Sequence, residues 1–136
     1  DVGRQMYLAA TIHREARRQV PAISAEQTVE MATLNGARSL GMAARFGSLE
    51  AGKRADVTIH AYRRPEWRPG MDPITSLVYS AQSTGVDTVI VDGRIILEAG
   101  QFTQVDEEEM YRQIDRAARR LYGRMGFPIP HRWLVV

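Results

Sequence analysis

Three histidines are the first candidates for chemistry in this chain: His13, His60 and His131. Metal-binding pairs stand two apart on a strand or four apart on a helix, so that both imidazoles reach one ion. These three are separated by tens of residues, and neither H-x-H nor H-E-x-x-H occurs. His13 reads as a helix-face residue satisfied by a neighbour, His60 as a strand-end packing residue, and His131 as an exposed or interfacial residue between a proline and Trp133. The carboxylates Asp106, Glu107, Glu108 and Glu109 are consecutive. Acids in that pattern cap a helix and favour the positive end of its dipole. No Gly-x-Ser-x-Gly is present, so there is no nucleophile elbow. Gly47 and Gly52-Lys53 have the spacing of a phosphate loop, but Arg54 stands where a Ser or Thr would bind Mg²⁺, and a strand follows instead of a helix. With no cysteine in the chain, thiolate metal sites, thiol nucleophiles and disulfides are excluded. The residues on their own therefore assign no catalytic, cofactor-binding or metal position.

The elements that would position any site are legible. Residues 2–18 read as a helix with Met6, Ala9, Ala10 and His13 on one face, ended by Val20-Pro21. A second helix over residues 24–41 opens on Ser24 with Gln27 at the spacing of a capping box. Its expected buried face is Val29, Ala32, Thr33, Gly36, Ala37 and Leu40, with close backbone approach at Gly36 and Gly41 as the terminating residue. Residues 47–55 form turns, with Leu49 as the expected apolar anchor. Residues 56–60 read as a strand and 63–72 as loop, while 74–81 fits either a helical turn or a strand. Two β-branched runs flank Asp92-Gly93, so residues 87–97 read as a type I′ hairpin apolar on both faces and covered on both sides. Residues 106–125 form an amphipathic helix with the stripe Met110, Ile114, Ala117, Leu121 and Met125, ended by Gly126. Residues 127–136 are an extended apolar tail.

Composition narrows the classes further. With 136 residues, 44% hydrophobic and 25% charged, the chain has the make-up of a folded protein, not a disordered one. No apolar run approaches the ~20 residues of a membrane span. Lys53 is the only lysine among 18 basic residues, yet 16 acids leave a net charge of +2, which argues against a nucleic-acid partner. The absence of cysteine is compatible with a cytoplasmic location. The sequence starts at Asp1 without an initiator Met or a signal peptide, which leads us to expect a cut, processed or truncated chain. A complete (β/α)8 barrel needs about 250 residues, so the chain is too short to be one.

Four motifs follow one another in a telling order: Thr28-Val-Glu-Met-Ala-Thr-Leu-Asn-Gly-Ala-Arg-Ser-Leu-Gly41, Gly47-Ser-Leu-Glu-Ala-Gly-Lys-Arg-Ala-Asp-Val-Thr-Ile59, Asp72-Pro73 with Leu77-Val-Tyr-Ser-Ala81, and Val86-Asp-Thr-Val-Ile-Val-Asp-Gly-Arg94. Together they resemble the C-terminal third of metal-dependent amidohydrolases, in the branch of cytosine-deaminase-like and triazine-hydrolase-like enzymes. The resemblance implies an α/β fold: a fragment of a (β/α)8 hydrolase barrel plus part of its small β-sandwich composite domain. Residues 1–46 would be the last barrel helices. Residues 47–100 would be sandwich strands and their connecting loop, and 101–136 a C-terminal helix and tail.

For the complete enzyme the resemblance implies zinc or iron lowering the pKa of a bound water, which attacks a carbon bearing nitrogen or halide. The substrate would be a small amine or N-heterocycle, the reaction a deamination or chlorohydrolysis. The family's ligands are an H-x-H pair, two further histidines and an aspartate, and none carries over to a position of this chain. Asp1 resembles the Asp that opens the helix after the metal-binding Asp. No cofactor is therefore expected in this chain, and the isolated chain is expected to be inactive. Its expected partners are other copies of itself or the missing barrel portion, not nucleic acid or membrane. A non-catalytic oligomerisation remnant, exchanging residues 95–97 or 133–136 between copies, and an arginine-rich nucleic-acid binder are the alternative readings.

Overall fold

A computed structural model describes residues 1–17, 23–81 and 83–126, with the backbone alone for residues 13–17. The chain forms two compact units, Asp1–Thr103 and Gln104–Val136.

In the first unit, α1 (Val2–Arg17) begins where Asp1 accepts a hydrogen bond from the Arg4 amide at 3.1 Å. The expected stop at Val20-Pro21 lies outside the described residues. Helix α2 (Ala25–Glu30) carries the expected capping box: Ser24 Oγ accepts from the Gln27 amide at 3.2 Å, and Gln27 Oε1 accepts from the Ser24 amide at 2.9 Å. The expected uninterrupted helix is instead broken by a π-turn over Met31–Asn35 before α3 (Gly36–Ser39). A π-turn inserts a residue into the helical repeat and rotates everything after it. The buried face changes accordingly: Ala25, Thr28 and Ala37 are buried, whereas Ala32, Thr33 and Leu40 are exposed. The end of α3 is as expected. Gly41 adopts φ +68, its amide donates to Arg38 O and the Met42 amide donates to Ala37 O, the paired bonds of a Schellman motif.

The close approach expected at Gly36 occurs elsewhere. A Cβ at Gly36 would meet only Met31 O, at 3.6 Å. At Gly47, with φ +99, it would lie 2.8 Å from Ala37 Cβ and 3.1 Å from Leu34 Cα. The turn region rests its backbone on the helix there, and a side chain has no room. Leu49 is not the anchor of this stretch, being 83% exposed. Lys53 anchors it: its side chain is 13% exposed, and Nζ donates to Ser48 Oγ at 2.6 Å and Glu50 Oε1 at 2.9 Å.

The ambiguous segment 74–81 is helical. In α4 (Pro73–Tyr79), Asp72 accepts from the Ile74 and Thr75 amides, and Pro73 occupies the first turn, where no amide donor is needed. Ala10 of α1, Ala25 of α2 and Val78 of α4 form the core, with Val29 and Ile74 against it.

Four strands make one antiparallel sheet in sequential order: β1 (Val57–His60), β2 (Val86–Val91), β3 (Arg94–Glu98) and β4 (Gln101–Phe102). Asp92 and Gly93 have φ +51 and +78, as a type I′ hairpin requires. The hairpin has a sheet partner on each side: Val57 pairs with Ile90, and Leu97 pairs with Phe102. It is not covered on both faces as expected: Val91 is 45% and Ile95 43% exposed.

In the second unit, Asp106 accepts from the Glu109 amide to cap α5 (Glu107–Met125), and Gly126 closes it with φ +67. The expected apolar stripe is there, and none of its residues is buried. The tail, residues 127–136, lies outside the described residues.

Candidate functional site

A cavity of about 560 Å³ lies between the helices and the sheet. Met6, Val29, Leu77, Val86 and Val89 give it apolar walls, and Asp1, Asp56 and His60 are the ionisable groups on its lining.

Each of these three groups is held by its own neighbours. Asp1 accepts from the Arg4 amide and from Ser83 Oγ, tying the start of α1 to the segment before β2. Asp56 Oδ1 accepts from the Asp92 amide at 2.7 Å and so braces the hairpin turn. His60 ends β1 at an irregularity in the β1–β2 register and packs edge-on against Trp67, with ring centroids 5.6 Å apart. Its Nδ1 is buried without a hydrogen-bond partner, as is Trp67 Nε1. Burial disfavours the charged imidazolium, so the His60 pKa lies below the ordinary histidine value. Among the described residues His60 has neither a carboxylate to orient it nor a nucleophile beside it.

The aromatic cluster continues outward from Trp67. Tyr62 lies 5.5 Å from it, donates to Gly70 O, and carries the Arg68 guanidinium over its ring at 5.4 Å. This cluster folds the loop onto the sheet edge. Sequence reading passed over Trp67, which is only 5% exposed. Its setting between prolines and arginines in a breaker-rich stretch concealed a buried aromatic.

The remaining sequence candidates are dispersed. The side chain of His13 and all of His131 lie outside the described residues. The acids at 106–109 serve the start of α5, as expected: Asp106 caps it, Glu109 pairs with Arg112 at 2.8 Å, and Glu107 accepts from Tyr111. Lys53 is committed to Ser48 and Glu50. Among the described residues, no three His, Asp or Glu side chains converge as a metal would require.

The comparison with known proteins matches this scaffold as a whole. The sequence model of the amidohydrolase family matches residues 1–96, from α1 into β3. The chain belongs to the amidohydrolase family. It is 43% identical over 117 residues to a 5-methylthioadenosine/S-adenosylhomocysteine deaminase of Desulforudis audaxviator, an overlap covering 86% of this chain and 27% of that one. It is 45% identical over 94 residues to the enzyme of the same name from Moorella thermoacetica, covering 69% of this chain and 22% of that one. Among solved structures, an adenosine deaminase from Xanthomonas campestris with bound zinc superposes with a TM-score of 0.87 at 27% identity, covering 90% of this chain and 28% of that one. An atrazine chlorohydrolase from Arthrobacter aurescens complexed with zinc gives 0.75 at 27% identity, covering 85% and 25%.

This amidohydrolase chain thus spans about a quarter of the length of the relatives it matches. Its mixed helix-and-sheet architecture is that of its amidohydrolase neighbours. Zinc in those neighbours raises the question of a metal here. The described donors do not fit one, because Asp1 and Asp56 are spent on backbone amides and His60 stands apart against Trp67.

Proposed function

We propose that this chain is the C-terminal part of an amidohydrolase-type enzyme that hydrolyses non-peptide carbon–nitrogen bonds, with a 6-aminopurine nucleoside carrying a thioether as its substrate. The observation that carries the reading is the 43% identity to a 5-methylthioadenosine/S-adenosylhomocysteine deaminase across 86% of the chain. The adenosine deaminase neighbour, at a TM-score of 0.87, points to the same substrate class. Hydrolytic deamination would exchange the exocyclic amine for oxygen, consuming water and releasing ammonia.

In this reading residues 1–46 supply the last barrel helices, 47–100 the strands of the composite domain, and 101–136 an outer helix and tail. Zinc or iron belongs to the complete enzyme and is held by residues outside this chain. In this reading this chain's contribution is architectural. It caps α1 through Asp1, fastens that cap to Ser83, and braces the sheet against the helices. The chain alone is inactive, and the complete protein works in the cytoplasm.

The test is a chimera. Residues of this chain replace the homologous segment of the Desulforudis deaminase, and ammonia release from 5′-methylthioadenosine is measured. A folded, active chimera supports the reading. A folded, metal-loaded chimera without activity contradicts it.

A second reading, self-association, is favoured by one observation. Large apolar side chains stand exposed on both compact units, among them Met71 and Val91 on the first and Ile114 and Leu121 on the second. Exposed apolar surface on that scale favours association.

A further inference from the structure

We draw no further inference here: the strongest candidate, the cavity between the helices and the sheet with His60 on its wall, belongs to the site already described, and nothing in the structure shows what fills it, since the chain spans about a quarter of the length of the relatives it matches.

Discussion

Arg54 grips Asp92 with both arms of its guanidinium: Nε lies 3.1 Å from Oδ1 and Nη2 3.2 Å from Oδ2. The two residues are 38 apart in sequence, and Asp92 is the first residue of the hairpin turn. Asp56 Oδ1 accepts from the Asp92 amide, and the Gly93 amide donates to Ala55 O. Three successive residues before β1 therefore clamp the turn that joins β2 to β3. Both charged side chains are about half exposed, so solvent screens the pair. Arg54→Ala should cost about 0.5–1 kcal/mol in urea unfolding. Gly93→Val should cost more, because a β-branched residue is strained at φ +78 even though a Cβ there meets open space.

Two glycines should respond in opposite directions. Gly47→Ala drives a Cβ into Ala37 and Leu34 at positive φ and should destabilise by about 2 kcal/mol or more. Gly36→Ala sits in helical geometry with its nearest contact at 3.6 Å, and should stabilise by about 0.4–1 kcal/mol. Thermal melts of the two variants side by side check the assignment of the close approach to Gly47.

Trp67→Ala should be the most damaging single change in the loop over residues 61–72. It removes a buried indole that meets both His60 and Tyr62, and large-to-small changes of this kind cost about 3–5 kcal/mol. Chemical denaturation followed by circular dichroism measures it.

Stability should depend on pH in two separate windows. His60 has a folded pKa below its ordinary value because burial disfavours the charge. The unfolded chain therefore binds the proton more readily, and stability is lost as pH falls from the ordinary histidine value towards the folded one. His60→Phe should flatten that slope. At lower pH Asp72 acts: its hydrogen bonds from the Thr75 side chain and amide hold its pKa below the ordinary aspartate value. Its contribution is complete above the ordinary aspartate value and is lost as pH drops towards the folded pKa. Asp72→Asn should shrink this second slope, which Glu26, Glu50 and Glu109 share, and leave the first.

What could be read from sequence divides by range. Ser24 with Gln27, Asp106 with Glu109, Asp92-Gly93 and Gly41 each act within a few residues, and each does in the structure what its local chemistry dictates. The π-turn at Met31–Asn35 carries no such signal. It rotates the helix so that Ala37 meets Gly47, a demand set by packing at a distance. Leu49 and Lys53 exchange their expected roles for a related reason. A lysine with two oxygen partners can be covered, whereas Leu49 at the rim of a turn stays exposed among the described residues. The Ala99-Gly100 turn into β4 places alanine at φ +49, where composition would not look for a turn. The motif order identified the family. It could not supply a site, because among the described residues the ionisable groups on the cavity wall come from two distant segments, with Asp1 and Asp56 spent on backbone amides and His60 packed against Trp67.

The central claim is that this chain is the architectural C-terminal part of a nucleoside deaminase. Ammonia release from 5′-methylthioadenosine by the zinc-loaded chimera with the Desulforudis enzyme tests it most directly. The account predicts turnover by the chimera and none by the 136-residue chain alone. A folded chimera that releases no ammonia, or an isolated chain that does, would contradict it.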